Sequence, residues 1–260
     1  MRNDIPIFET IQISVDDRLG QLRLDRPHTR NALNRRMIQD IIAAARWFNQ
    51  QPDIKVVVIS GNGPDFCSGF DLQNFSVDAP PEEIRDIVAL GRELSEAVIR
   101  MRPITIASVH GHCVGGGVVL AGVCDFRYAS EDASFWLPET AIGIPLAWAG
   151  IPLLVREIGP LMATELTLLC EKMPASKALA LGMLNDVVPR EKLDDRTART
   201  VKTLLQHSHL VLEATKQQIT AAREALVSSA YSFTDAHLLY AGLCDPESRS
   251  KRIKYLEKHH

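Results

Sequence analysis

Gly61-Asn62-Gly63-Pro64-Asp65-Phe66-Cys67-Ser68-Gly69-Phe70-Asp71-Leu72 follows the strand-like run Ile54 to Ser60, and Gly115-Gly116-Gly117 follows a second such run, Ile104 to Val109. The apolar stretch Val118-Val119-Leu120-Ala121 comes next and reads as a helix. A glycine cluster that opens a helix presents unpaired backbone N–H groups at the positive end of the helix dipole, a setting for an anionic oxygen. Two such donors aimed at one oxygen would form an oxyanion hole. By itself Gly61-Asn62-Gly63 is an ordinary turn, and a run of glycines equally lets helices pack closely. A dinucleotide-binding GxGxxG reading fails, because the pattern requires glycine at position 66 and Phe66 stands there.

Working outward, Ile11, Ile13 and Val15 alternate with polar neighbours, Asp16 to Gly20 supplies turn chemistry, and Leu22 and Leu24 resume the alternation. This predicts an opening β-hairpin. Asn34 is placed to cap a helix through Met37, Ile38, Ile41, Ile42, Ala45 and Phe48. Asn74 to Pro81 is polar and proline-bearing and predicts a mobile loop, after which Pro81-Glu82-Glu83 starts a long helix ending near Met101. Phe126 to Tyr128 predicts a further strand. From Ala147 the pattern turns helical, with breaks at Gly159-Pro160, Pro174 and Gly182, and residues 191–258 show helical spacing only. Strands with intervening helices first and helices alone afterwards predict an α/β core with an α-helical C-terminal region.

The 260 residues are ample for a large core, and 46% hydrophobic with 23% charged content is that of a water-soluble globular chain. A formal net charge of -3 and the absence of a basic run with interleaved aromatics argue against nucleic acid. The five cysteines are scattered without a CxxC pair, which predicts reduced thiols, and the N-terminus carries no apolar leader. No apolar stretch reaches membrane-spanning length, so the expectation is a cytoplasmic protein away from membranes. No His, Asp or Glu cluster has metal-ligand spacing, so metal-free chemistry is expected. The terminal Lys258-His259-His260 looks like the stub of a purification tag and carries no fold argument.

Taken through Leu72, the first turn resembles the first oxyanion-hole loop of the crotonase family, the enoyl-CoA hydratases and isomerases. His110-Gly111-His112-Cys113-Val114-Gly115-Gly116-Gly117, with Cys124-Asp125 beyond it, resembles the family's second motif. The resemblance runs from about Arg26 to the C-terminal helices. It implies a spiral of ββα units over residues 1–190 and a helical oligomerisation region over 191–258, assembled as a homotrimer or a dimer of trimers. It makes the N–H groups of Phe70 and Gly116 the two donors, with Gly69 and Leu72 beside them on the substrate-binding surface and Asp71 as a structural carboxylate. Cys67 reads as packed rather than reactive, and His110 and His112 as satisfied structural histidines facing opposite sides of a strand end.

Glu139 follows Trp136-Leu137-Pro138, where apolar neighbours would raise a carboxyl pKa by desolvation. A glutamate after a proline is ordinarily solvated; the resemblance instead makes it a catalytic base for a thioester α-proton. The hydratases carry a second catalytic glutamate two residues after the triple glycine, and this chain has Val119 there. Valine cannot hold water, whereas one base suffices to move a proton from C2 to C4. The expected activity is therefore Δ3-Δ2-enoyl-CoA isomerisation, with hydration as the alternative and a catalytically weak acyl-CoA-binding homologue as another. A hydrolase with a nucleophilic serine is disfavoured by the lack of a GxSxG elbow.

Arg26-Pro27-His28-Thr29-Arg30-Asn31-Ala32-Leu33-Asn34 resembles the family's coenzyme A segment, where carbonyls meet the adenine and basic groups approach the phosphates. Arg26, His28, Arg30 and Ala32 are the candidates there; an exposed basic loop would look the same. Coenzyme A would enter as part of the substrate, with no other cofactor. Phe70, Leu72, Phe75, Trp136, Ile142, Ile144 and Trp148 are the apolar residues nearest the motifs and candidate lining for an acyl pocket.

Overall fold

The computed structural model describes residues 4–72 and 80–259. The expected loop from Asn74 and the candidate Phe75 lie outside the described residues. β1 (Ile11–Asp16) and β2 (Leu19–Leu24) form the expected antiparallel hairpin, with Ile11 opposite Leu24. α1 (Arg35–Asn49) starts where the Asn34 side chain accepts a 2.8 Å bond from the Met37 N–H, and it buries the predicted stripe from Met37 to Phe48. It carries the chain across to β3 (Val56–Gly61), which pairs parallel with β2.

From β3 the chain winds as a spiral. α2 (Pro81–Ile99) leads to β4 (Ile104–Val109), then β5 (His112–Val114) and α3 (Gly116–Gly122); β6 (Phe126–Ser130) is followed by β7 (Ser134–Trp136) and α4 (Gly150–Leu169). β8 (Met173–Pro174), α5 (Ala175–Ala180) and β9 (Asp186–Val188) complete it. A six-stranded sheet in the order β1-β2-β3-β4-β6-β9 stands beside a three-stranded one, β5-β7-β8. Each turn gives one strand to each sheet before its helix. In the first turn the second strand shrinks to a single bridge, Cys67 to Cys113. Every residue of β4 is buried, Thr105 and Ser108 included, as befits a central parallel strand covered on both faces. β5, β7, β8 and β9 have only two or three residues each, too few for a period to register.

α6 (Leu193–Leu205), α7 (His209–Leu226), α8 (Asp235–Cys244) and α9 (Pro246–His259) make the C-terminal region. Buried cations fasten it to the sheet. The Lys55 ammonium donates to the carbonyls of Leu205 and His207 at the C-terminal end of α6, where the helix dipole favours positive charge. Lys216 on α7 reaches Asp125 at 2.7 Å and the Pro103 carbonyl at 2.9 Å. α8 packs on α2 through buried Leu239 and Leu243, and Arg252 of α9 donates to the Leu243 carbonyl at 3.0 Å and to the Gly143 carbonyl. The last two helices thus fold back over the segment that carries Glu139. Among the described residues no helix is long and apolar enough to cross a membrane.

Candidate functional site

The first loop is held from below by one amide side chain. Asn31, fully buried, donates to the carbonyls of Asn62, Asp65 and Phe66 at 2.9, 2.9 and 3.2 Å. The Leu33 N–H donates to the Gly69 carbonyl at 2.7 Å and the Asp71 N–H to the Leu33 carbonyl at 3.1 Å, so the Phe70 peptide is clamped on both sides. Arg26 turns inward, giving one guanidinium nitrogen to the Ala32 carbonyl at 2.6 Å and to the Asp71 carboxylate at 3.1 Å. Asp71 and Arg26 together brace the loop.

Gly115 adopts φ 51°, ψ -118°, a conformation that side-chain-bearing residues rarely hold, and donates its N–H to the Trp136 carbonyl at 2.8 Å. α3 begins immediately after it. Among the described residues the Gly116 N–H has no backbone acceptor. The two turns touch: a Cβ on Gly69 would lie 2.7 Å from the Val114 carbonyl oxygen, and one on Gly117 would lie 2.8 Å from that of Cys67. Glycine at both positions lets the Phe70 and Gly116 peptides approach one pocket.

Phe70, Gly116, Val119 and Glu139 all line that pocket, which has an empty volume of about 520 Å³. Leu72, Ile144, Trp148 and Leu239 add apolar walls, and Glu139 is the sole charged residue among its described lining. Burial pushes the Glu139 carboxyl up from its ordinary 4.5 to about 7. Its Oε2 is out of reach of water and has no hydrogen-bond partner among the described residues. Val119, 2% exposed, faces the same space from α3. A carboxylate poised near neutrality in an apolar pocket beside two peptide donors can take a proton from a carbon next to a carbonyl.

The expected residues divide. Trp136 does not line the pocket: its indole N–H donates to the Cys170 carbonyl at 2.6 Å and Lys172 sits 5.3 Å from the ring centroid, so the side chain serves the small sheet. Only its carbonyl serves the site, by fixing Gly115. Ile142 is buried without reaching the pocket, while Ile144 and Trp148 line it. Arg26 is occupied internally, whereas His28 and Arg30 are exposed, Arg30 lying 3.7 Å from Asp65. His110 binds the Gly63 carbonyl and His112 the Ser134 hydroxyl, as structural histidines do. Cys67 is buried and its thiol is pushed up to about 12 by desolvation, which leaves it unreactive.

Several contributors were not legible in the sequence, the wall residues Ile87, Pro145, Leu146 and Ala147 among them. Asn31 lies inside a segment read for its basic side chains and its carbonyls, and that reading does not single out its own amide. Leu239 enters the pocket from α8, and α9 brings the Tyr255 phenol near enough to the Glu139 carboxylate that, after burial, the carboxylate raises its pKa further. No local pattern ties residues so distant in sequence to the site. Among the described residues no group of three His, Cys, Asp or Glu could hold a metal ion.

The ββα spiral with two glycine turns meeting at one pocket is the crotonase fold. The chain belongs to the enoyl-CoA hydratase/isomerase family, whose model matches residues 15–260. It is 30% identical over 255 residues to the crotonyl-CoA hydratase of Syntrophomonas wolfei, covering 96% of each chain. An enoyl-CoA hydratase/isomerase structure from Xanthobacter autotrophicus Py2 superposes with a TM-score of 0.88 at 28% identity, over 96% of this chain and 93% of the other. A Thermobifida fusca YX structure in complex with acetoacetyl-CoA matches with a TM-score of 0.76 at 29% identity, over 88% and 93%.

Proposed function

We propose that the protein is a Δ3-Δ2-enoyl-CoA isomerase with Glu139 as its single base. The observation that carries the reading is that one carboxylate, Glu139, faces a pocket whose other described walls are uncharged, with Val119 where a second carboxylate would be needed to hold water. The thioester carbonyl accepts from the Phe70 and Gly116 N–H groups, and the coenzyme's phosphates lie toward His28 and Arg30. Glu139 takes a proton from C2; the electron pair of that C–H bond delocalises onto the carbonyl oxygen, giving a dienolate. The same carboxyl returns the proton at C4, and the double bond comes to rest between C2 and C3. Each N–H donor lowers the barrier by about 3–4 kcal/mol, because it meets charge that develops only in the transition state.

The complex of the Thermobifida relative with acetoacetyl-CoA supports a coenzyme A thioester as substrate. Neither a metal nor a further cofactor has a part in this scheme. Hydration is the second reading, favoured by the name of the Syntrophomonas relative. Incubating the protein with 3-enoyl-CoA and 2-enoyl-CoA thioesters and separating the products by chromatography tests the two together. Interconversion with little 3-hydroxyacyl-CoA is expected. Efficient hydration without isomer formation would overturn the isomerase reading, and binding without turnover would make the protein an acyl-CoA binder.

A further inference from the structure

Trp148 lines the pocket without a task in the reaction scheme, and its placement breaks two local rules. It sits at φ 64° and the next residue, Ala149, at φ 59°, the left-handed region where a bulky side chain is strained. Opposite it, Gly91 stands in the middle of α2, where glycine weakens a helix relative to alanine. The two departures meet at one place. A Cβ on Gly91 would fall inside the indole, against its Cε2 and Nε1, so the glycine is the notch that admits the ring. The strained turn is held by two bonds from other helices. The Ser95 hydroxyl donates to the Trp148 carbonyl at 3.2 Å, and the Ala149 N–H donates to the Asp235 carboxylate at 3.1 Å.

The indole so placed abuts both residues whose N–H groups are the proposed donors. It stands edge-on to the Phe70 ring at 5.9 Å between centroids, and its Cζ3 occupies the space a Cβ on Gly116 would take. Trp148 is 7% exposed; it lines the pocket whereas Gly91 and Ser95 behind it do not. Strain retained at a binding site is kept where the rest of the fold over-determines it and function uses it.

From the notch, the strained turn and the contact with both donors, we infer that Trp148 is the specificity-determining floor of the acyl pocket and confines it to short, unbranched acyl groups. The inference rests on the reading of this pocket as an acyl-CoA site. An acyl chain leaving the oxyanion hole meets the indole within a few carbons, and further methylenes find no apolar surface behind it. Each methylene that does find such surface tightens binding about fourfold.

Equilibrium binding of acetyl-, butanoyl-, hexanoyl- and octanoyl-CoA to the wild type, Trp148→Phe and Trp148→Gly tests this. Glycine suits the positive φ and opens the floor toward α2; phenylalanine keeps the fold if glycine does not. For the wild type, affinity should rise from acetyl to butanoyl and then level or fall. The octanoyl-to-butanoyl affinity ratio should increase at least tenfold in Trp148→Gly, with Trp148→Phe between it and the wild type. A wild type that gains steadily through octanoyl, or a ratio unmoved in the folded variants, would overturn the floor while leaving the acyl-CoA reading intact. Failure to bind any of the four esters would overturn both.

Discussion

The carboxylate of Glu139 lies over the α-carbon of Gly115, so close that a Cβ there would overlap Oε1. Gly115 therefore has two reasons to be glycine: its φ of 51° with ψ of -118°, and the carboxylate above it. The residue that opens α3 also seats the carboxylate proposed as the base. On that proposal, charge stabilisation and proton removal are both set by the geometry of one peptide.

Gly115→Ala should accordingly damage both. The backbone conformation costs about 1–3 kcal/mol for a residue with a side chain, and displacing the carboxylate by about 1 Å costs on the order of a hundredfold in turnover. Thermal unfolding and exchange of the α-proton of a saturated acyl-CoA in D2O measure the two separately. Unchanged exchange would detach Gly115 from the base.

The sequence made some of this legible and hid the rest for physical reasons. The hairpin, α1 with its Asn34 cap, β4 and α2 could be read because each is long enough to show a period or a cap. Val119 was legible as a departure, since its position is counted from a glycine run. The covering of the site by α8 and α9 was not legible: Leu239 and Tyr255 carry no local mark, and helical spacing says which face is apolar without saying what it covers. Trp136 misled because closeness to Glu139 in sequence does not fix where a strand side chain points: the indole reaches the Cys170 carbonyl, while only the Trp136 carbonyl, accepting from the Gly115 N–H, serves the site.

The pH response of Glu139 follows from its burial. Below about pH 4.5 the carboxyl is protonated both folded and unfolded and contributes nothing; between about 4.5 and 7 the unfolded carboxyl ionises while the folded one keeps its proton, so stability is lost across that interval and levels off above about 7. Wild type should thus lose stability relative to Glu139→Gln as pH rises, the gap in Tm being smallest at about pH 5 and several degrees by about pH 8. Turnover should rise as pH passes through about 7, where the folded carboxyl becomes the carboxylate proposed as the base. Glu139→Gln should bind acyl-CoA within a few-fold of wild type and lose nearly all α-proton exchange. A Tm gap independent of pH would contradict the buried carboxylate, and undiminished exchange would remove Glu139 from the reaction.

Among the basic residues of the coenzyme segment, exposure divides roles. His28 and Arg30 are free of burial, whereas Arg26 is tied to Asp71 and the Ala32 carbonyl. Replacing His28 and Arg30 with alanine should weaken coenzyme A esters several-fold at low salt and pantetheine esters hardly at all, because screened charge attraction is what is lost. Arg26→Ala should chiefly lower Tm. Equal losses for both ester types would remove His28 and Arg30 from the phosphates.

Large apolar side chains stand exposed on α4 and α7, Leu161 at 78% and Leu226 at 80% among them. These side chains are available to a contact between copies of the chain, and the family resemblance implies a trimer or a dimer of trimers. Light scattering should report it at micromolar concentration, and a stable monomer would contradict it. Chelators should leave turnover unchanged, while a loss restored by added metal would overturn metal-free catalysis.

The sharpest test of the isomerase reading is Val119→Glu. Val119 is buried in the pocket wall, one γ-methyl 3.2 Å from where a Cβ on Gly150 would lie. Hydration needs a water held on the face of C3 by hydrogen-bond acceptors, and an isopropyl group offers none while drying the place the water would take. Isomerisation gains from that dryness, since water near the dienolate would divert it. A glutamate at position 119 supplies the missing acceptor beside Glu139, so the ratio of 3-hydroxyacyl-CoA to isomer should increase at least tenfold. Buried close to another carboxyl, it also raises the pKa of the pair and lowers stability, by about 1–3 kcal/mol for an incompletely paired polar group. Chromatography of a single reaction follows both products. If Val119→Glu folds and its product ratio equals that of the wild type, the isopropyl group is not what withholds water, and hydration must be governed by another wall of the pocket.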